Sequence, residues 1–324
     1  MATNTTVTAT PLAQAAPIIA PKSVSMTQDA WRRFVRNKAS LSGLVFIGIV
    51  VLAAIAAPLV APYNFATQDV TATTQGIGSP GHLLGTDRLG RDILSRIIYG
   101  TRISLTVGLV IPIMIVLIGV PVGLVAGYKG GWVDSLLMRI VDVLYAIPNL
   151  LFIIIFMTYL KAQFLHINGG WLLPLKNFDA ATGGTLGVFI GLSIFSWLTV
   201  SRLVRGQVLS LKRKEFVEAA HCMGASSGRI ILRHLLPNTL AVVIVAATLG
   251  IPAAILGEAG ISFIGLGINP PVPSWGLMIS EGVADLRSYP YMLVAPAVVL
   301  SLTVLSFNFI GDGLRDAFDP WMKK

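Results

Sequence analysis

The stretch EFVEAAHCMGASSGRIILRHLLPN, residues 215–238, is a polar and basic insert that lies between two long apolar runs. It predicts two short helices broken at Gly224, because glycine adopts turn conformations that strain a residue with a Cβ atom. Small alanines on the first helix let another protein approach closely. Leu236-Pro237 ends the insert, since proline lacks an N–H group and disfavours helix in the residue before it. The pattern therefore favours a docking surface.

The composition is that of a membrane protein. Hydrophobic residues make up 54% of the 324 positions and charged residues only 12%, against about 25% charged residues in soluble domains. Several uninterrupted apolar runs reach about 20 residues, the length at which a helix crosses the hydrocarbon core of a bilayer. The predicted fold class is an all-α polytopic membrane protein with six transmembrane helices.

Six apolar runs mark the predicted transmembrane helices. They cover approximately residues 41–62, 103–128, 134–160, 185–204, 239–256 and 292–310. We interpret the first run as a retained helix rather than a removable signal peptide, because the 40 residues before it are long for a signal peptide. In the second run, Gly119, Gly123 and Gly127 recur at every fourth residue. This spacing predicts a helix–helix contact, since small residues let helices approach closely in lipid.

Two charged residues, Arg139 and Asp142, fall inside the third run. A charge in the middle of a membrane helix costs roughly 2.5 to 3.5 kcal/mol, so both side chains should pair or face a wet interior. We favour a structural ion pair between Arg139 and Asp142. A position on the substrate path is the alternative.

Two other segments are polar or broken by turn residues. Residues 82–105, HLLGTDRLGRDILSRIIYGTRISL, predict an amphipathic helix on the membrane surface with local ion pairs among Asp87, Arg91 and Asp92. Residues 259–291 contain too many glycines and prolines for one helix. We expect this segment to form a re-entrant or surface-lying turn that packs against the helices.

The sequence shows no enzyme site. It has no GxxxxGK[ST] phosphate loop, no HExxH and no GxSxG, and its four histidines lie in separate segments. The single cysteine, Cys222, excludes an internal disulfide and a CxxC metal site. We therefore predict no catalytic residues, no metal site and no cofactor bound by this chain. The basic residues behind the net charge of +9 do not form one patch with aromatic residues, so no nucleic-acid partner is expected.

Four segments carry a family resemblance. The order Glu218-Ala219-Ala220, three residues, Gly224, eleven residues and Leu236-Pro237 resembles the EAA loop of ABC importer permeases, where the loop forms the coupling helix that sits in a groove of the ATPase. The form RHLLPN within this loop resembles the peptide and nickel branch. GTDRLGRDILSR, SFIGLGINPPVPSWG and LSFNFIGDGLRDAFDP resemble the C-type subunit of that branch.

The resemblance implies a type I ABC importer permease core that couples ATP hydrolysis to import of di- or oligopeptides, or of a related small cargo such as nickel. The implied partners are a second homologous permease in a heterodimeric pair, two cytoplasmic ABC ATPases that use ATP and magnesium, an extracytoplasmic substrate-binding protein and membrane lipid. Glu218 would orient the coupling loop by hydrogen bonds or a salt bridge. The implied coupling residues are Glu218, Ala219, Ala220, Gly224, Leu236 and Pro237.

The predicted organisation has four parts. They are a disordered cytoplasmic tail at 1–30, an amphipathic segment with the first transmembrane helix and an external loop at 31–101, the permease core at 102–312 with the coupling loop at 212–238, and a cytoplasmic tail at 313–324. With both termini inside, sixteen Lys and Arg residues fall in inner segments and seven in outer segments. This bias fits the positive-inside rule and predicts a multi-pass protein of the cell (inner or plasma) membrane.

Two rival hypotheses remain open. An ATP-independent secondary transporter or channel would normally show ionisable residues deep in several helices, or an inverted repeat. A membrane scaffold or sensor subunit would not transport at all.

Overall fold

The computed structural model describes residues 26–170 and 172–318, and every regular element in these ranges is a helix. The helices are α1 Met26–Arg36, α2 Lys38–Ile55, α3 Ala57–Val60, α4 Ile93–Met114, α5 Val120–Lys129, α6 Gly131–Ala146, α7 Asn149–His166, α8 Leu173–Ala181, α9 Thr185–Leu211, α10 Glu215–Cys222, α11 Ser227–Ile230, α12 Leu236–Phe263, α13 Trp275–Val283 and α14 Tyr291–Phe318. Two π-helical turns, Ile115–Gly119 and Ile231–Leu235, join α4 to α5 and α11 to α12 without a break.

Six helical stretches in the described ranges are long and apolar enough to cross a membrane, judged by length and composition. They are Lys38–Ile55, Ile93–Lys129, Asn149–His166, Thr185–Leu211, Ser227–Phe263 and Tyr291–Phe318. The predicted all-α class and the predicted number of transmembrane helices are confirmed.

Helices cover part of each predicted tail in the described part of the chain. Residues 26–30 belong to α1, which packs on α14 and buries Phe34, and the rest of the predicted 1–30 tail lies outside the described residues. At the other end, residues 313–318 complete α14. Positions 319–324 also lie outside the described residues.

The surface helix predicted over residues 82–105 is wrong in its first half. Asp87 Oδ1 accepts hydrogen bonds from the backbone N–H groups of Leu89 and Arg91, which fold this segment into a tight turn. Asp92 then caps the N-terminus of α4 with its carboxylate. The second transmembrane helix therefore begins ten residues before the predicted start at 103.

The single helix predicted over residues 134–160 is also wrong, because Pro148 separates α6 from α7. Ile147, the residue before this proline, has φ −79° and ψ 125°, an extended conformation. Steric conflict with a following proline ring favours this conformation over the helical one. The chain therefore bends between α6 and α7.

The break predicted at Leu236-Pro237 is absent. Pro237 lies in the first turn of α12, directly after the π-helical turn Ile231–Leu235. Proline fits the first turn of a helix because its missing N–H group needs no partner there. The result is one continuous helical rod of 37 residues, Ser227–Phe263.

The contact predicted from the glycine repeat is confirmed between α5 and α9. A Cβ atom built on Gly123 would lie 2.5 Å from the carbonyl oxygen of Ser201 and 2.7 Å from the Cβ of Val204. Gly119 and Gly127 meet the same helix one turn away on either side. The two helices can approach this closely only because these positions lack side chains.

Gly123→Ala should therefore lower the melting temperature of the purified protein, because the added methyl group overlaps the α9 backbone. Overpacking of this kind costs about 1–3 kcal/mol. The matched control is Gly206→Ala on α9, where no heavy atom lies within 4 Å of the added Cβ. Equal melting temperatures for the two variants would contradict the close α5–α9 contact.

A buried ion network fastens the loop before α4 to α13. Asp87 Oδ2 accepts hydrogen bonds from Arg91 Nε at 2.6 Å and from Arg96 Nη1 at 2.7 Å. Arg96 Nη1 also lies 2.7 Å from Glu281 Oε2. We call Asp87, Arg91, Arg96 and Glu281 the loop network. The predicted local pair of Asp87 with Arg91 is present, whereas the links to Arg96 and Glu281 were not predicted.

The segment predicted as a packed turn, residues 259–291, lies against the helices as expected. It contains α13, which packs against α14, α12 and α4 and whose Trp275 is fully buried. The predicted end of the fifth run near 256 is too early, because α12 continues to Phe263. Glu258 therefore lies inside α12, where its carboxylate accepts hydrogen bonds from Ser262 Oγ at 2.7 Å and Ser104 Oγ at 3.2 Å.

Candidate functional site

The predicted docking insert is joined to two membrane-spanning helices by short connections. Three residues, 212–214, link α9 to α10, and four residues, 223–226, link α10 to α11. Because α11 continues into α12, α10 is connected by short links to both long helices.

The turn after α10 depends on Gly224. This residue has φ +76°, in the left-handed region that favours glycine. Its N–H group donates to the carbonyl of His221 at 2.9 Å, and the N–H group of Ala225 donates to the carbonyl of Ala220 at 3.0 Å. These two bonds form a Schellman motif, which satisfies the last carbonyls of a helix. The turn predicted at Gly224 is therefore present, with α10 before it and α11 after it.

α10 has two different faces. Val217 and Ala220 are 1% and 2% exposed and pack into the core of the chain itself. A second face, roughly a quarter turn around the helix, presents Phe216 and Ala219, and Met223 directly after the helix end continues it and is 81% exposed. Ala219 thus lies where a partner can approach, whereas Ala220 does not, which corrects the role implied for it. Phe216 and Met223 were not predicted, although their spacing with Ala219 is that of one helix face.

Glu218 does not make the orienting bond implied by the resemblance. Its carboxylate has no hydrogen-bond or ion-pair partner within the described part of the chain. It lies instead at the wall of an open cavity of about 660 Å³. Three cationic side chains share this cavity, Lys129, Lys212 and Arg213. The carboxylate is therefore free to bind a partner in an electropositive surrounding.

Two contacts fasten α10 and the link before it to the end of α5. The hydroxyl group of Tyr128 lies 3.3 Å from His221 Nε2, and the two rings are nearly parallel. Lys212 Nζ donates to the carbonyl of Gly127 at 3.1 Å. The sequence carries no local signal for these contacts, because His221 and Tyr128 are 93 residues apart.

The remaining predicted site residues lie away from the exposed face of α10. Leu236 and Pro237 are in the first turn of α12. The predicted pair of Arg139 with Asp142 is wrong, since Asp142 Oδ1 binds Arg202 Nη2 of α9 at 2.5 Å. Arg139 is exposed on α6. No group of His, Cys, Asp and Glu side chains in residues 26–170 and 172–318 could hold a metal ion.

The described residues form a bundle of candidate membrane-spanning helices with a short exposed helix held between two of them, which is the architecture of a polytopic membrane protein. Residues 119–324 match the family described as the inner membrane component of binding-protein-dependent transport systems. Residues 25–76 match the N-terminal transmembrane domain of oligopeptide transport permease C. The chain belongs to the first family, the permeases of ABC importers, and the resemblance inferred from the EAA loop is confirmed.

Similar proteins cover nearly the whole chain. The oligopeptide transport system permease protein OppC of Bacillus subtilis is 38% identical over 94% of this chain and 93% of its own length. The dipeptide transport system permease protein DppC of the same organism is 41% identical over 93% and 88%. The glutathione transport system permease protein GsiD of Pectobacterium atrosepticum is 38% identical over 95% of both chains.

Among solved structures, an inward-facing form of the MetNI methionine ABC transporter has a similar fold. The TM-score is 0.51 at 18% sequence identity, over 70% of this chain and 98% of the other. The fold is thus that of an ABC importer permease. Membership of the family places the chain in a membrane and implies ATPase and substrate-binding partners in general.

Proposed function

We propose that this chain is one permease subunit of a heterodimeric, ATP-driven importer of peptides. It pairs with a second homologous permease, two cytoplasmic ATPases that use ATP and magnesium, and an extracytoplasmic substrate-binding protein. The observation that carries this proposal is the exposed face of α10, fixed between α9 and α12 by connections of three and four residues. The chain itself carries no catalytic step.

The proposed mechanism follows from the short connections that join α10 to α9 and α11. An ATPase groove receives Phe216, Ala219 and Met223, while Glu218 offers a charged hydrogen-bond acceptor beside them. Closure of the ATPases displaces α10, and the short connections pass this displacement to α9 and to the rod Ser227–Phe263. ATP can drive this change only if the ATPase binds one position of α10 more tightly than the other.

The proposed orientation places α10 and both termini in the cytoplasm. The segment from 202 to 233 alone carries seven Lys and Arg residues, and the rod and α9 both enter the membrane from it. A concentration of basic residues next to transmembrane helices is typical of cytoplasmic loops. ATP is available on the same side.

Peptides are the proposed cargo because the relatives named above are described as oligopeptide, dipeptide and glutathione permeases. These cargoes share a peptide or peptide-like backbone with charged ends. A nickel complex is the alternative cargo, and the uptake assay described next can also be run with nickel.

The test is reconstitution of the tagged chain with its co-purifying partners in liposomes. We expect a second six-helix permease and P-loop ATPases to accompany the chain, and uptake of labelled di- or oligopeptides to require ATP and the binding protein. Uptake without ATPases would instead support an ATP-independent transporter. Uptake of nickel but not of peptides would overturn the proposed cargo and leave the ATP-driven mechanism in place.

A further inference from the structure

An open cavity lies where two candidate membrane-spanning stretches end. The stretches Ile93–Lys129 and Thr185–Leu211 finish beside each other, since Lys212 Nζ donates to the carbonyl of Gly127 at 3.1 Å. The cavity has a volume of about 660 Å³, and residues that directly follow both helix ends line it. Because the apolar spans stop here, the cavity lies at the membrane surface.

The wall of this cavity carries positive charge that no acidic side chain neutralises directly. Three of its cationic side chains contact no carboxylate within residues 26–170 and 172–318, namely Lys129, Lys212 and Arg213. The neighbouring Arg205 differs, because Asp134 accepts two hydrogen bonds of 2.6 Å from it. Glu218 also lines the cavity. With His221 neutral, three positive charges and one negative charge leave the wall with a net charge of +2.

An exposed apolar stripe on α6 begins at the same cavity. Trp132, which lines the cavity, is 75% exposed, and the exposed side chains of Leu136, Ile140 and Val143 follow it. Their spacing of four, four and three residues places them on one face of the helix. From Trp132 to Val143 the stripe is about 16 Å long. One leaflet of a bilayer contains about 15 Å of hydrocarbon, so an acyl chain can cover the stripe.

The positive-inside bias accounts for the charges, but not for a cavity that they share with an exposed tryptophan and an apolar stripe. A ligand that complements all three features has an anionic head and an apolar tail. Basic pockets beside membrane helices bind the headgroups of such lipids. We propose that the cavity binds the phosphate of an anionic phospholipid through Lys129 and Arg213. One acyl chain lies along the α6 stripe, and the Trp132 ring lies at the level of the headgroups, where tryptophan is enriched.

Native mass spectrometry of the full chain in detergent tests this site. The delipidated chain is titrated with dioleoylphosphatidylglycerol, with the zwitterionic dioleoylphosphatidylcholine and with inorganic phosphate, and the affinity of the first bound molecule is measured. The test variant combines Lys129→Ala with Arg213→Ala. Lys212 stays unchanged, because its bond to Gly127 joins the link after α9 to α5.

Two double variants serve as controls. Lys129→Arg with Arg213→Lys keeps both charges in the cavity. Arg32→Ala with Arg36→Ala removes the same charge from exposed side chains of α1, which do not line the cavity.

We expect the unmodified chain to bind phosphatidylglycerol at least about tenfold more tightly than phosphatidylcholine or inorganic phosphate, because only this lipid supplies both the net negative charge and the acyl chains. The double alanine variant in the cavity should bind phosphatidylglycerol about 25-fold more weakly, since each Lys or Arg near an anionic lipid contributes about fivefold. Both control variants should bind it as the unmodified chain does.

Three results would overturn the inference. Inorganic phosphate that binds as tightly as phosphatidylglycerol would identify a free anion as the ligand. An equal loss of affinity in the α1 control would show a general effect of surface charge. The lipid should also stay bound in the complex with the ATPases and the second permease, and its loss on assembly would mean that a protein surface occupies the cavity.

Discussion

Gly224→Val is expected to abolish most ATP-driven uptake while the protein still inserts in the membrane. The φ of +76° at this position is unfavourable for any residue with a Cβ atom and most of all for a β-branched one. A left-handed residue costs about 1–2 kcal/mol, and such a penalty changes an equilibrium by a factor of roughly 5 to 30. The strain falls on the turn that holds the exposed face of α10. Uptake in proteoliposomes at saturating ATP measures the effect.

A matched control lies four residues further along the same insert. Gly228 is exposed, adopts helical backbone in α11 and has no heavy atom within 4 Å of a built Cβ. Gly228→Ala should therefore retain uptake. If Gly224→Val transports as well as this control, α10 does not transmit the force, and the coupling role is wrong.

Arg96→Met should lower the yield and melting temperature of the protein more than any surface substitution. The Arg96 side chain is 2% exposed and bonds both Asp87 and Glu281. Removing one member of a buried ion pair leaves an uncompensated charge and costs about 3–5 kcal/mol. We expect a loss near the lower value, about 3 kcal/mol, because Arg91 still contacts both carboxylates.

The control for this network is Arg88→Met. Arg88 also binds an acidic residue of the same region, Asp285, but its side chain is 60% exposed. Exposed ion pairs contribute about 0–1 kcal/mol, so its melting temperature should change little. Similar shifts for Arg88→Met and Arg96→Met would show that burial of the loop network does not contribute to stability.

Much of the architecture could be predicted from the sequence because its signals are local. Long apolar runs identify membrane-spanning helices without knowledge of their neighbours. The spacing of Gly119, Gly123 and Gly127 predicts a close contact, although not that α9 supplies the other surface. Gly224 likewise predicts a turn at its own position, because the left-handed backbone conformation of that turn is a local requirement for glycine.

Proline shows the limit of local rules. The residue before Pro148 adopts the extended conformation that the rule predicts, so the break between α6 and α7 could have been found. The same rule fails at Pro237, because the π-helical turn Ile231–Leu235 places this proline in a first turn. That wider turn has no simple sequence signal.

Partners of charged residues could not be predicted, because the relative rotation of the helices is not encoded in hydropathy. Asp142 has Arg139 three residues away, yet it binds Arg202, 60 residues further along the chain. Arg96 likewise reaches Glu281, which is 185 residues away. Local spacing finds only the ion pairs that one helix turn or one tight turn can form.

The most direct measurement is the rate at which a maleimide labels Cys222, the single cysteine of the chain, which is exposed at the end of α10. The rate is compared between the isolated chain in detergent and the complex with its ATPases. If α10 docks in an ATPase groove, labelling in the complex should be several times slower, and nucleotide should change it. Equal rates in the isolated chain and in the ATPase-bound complex would contradict docking through α10.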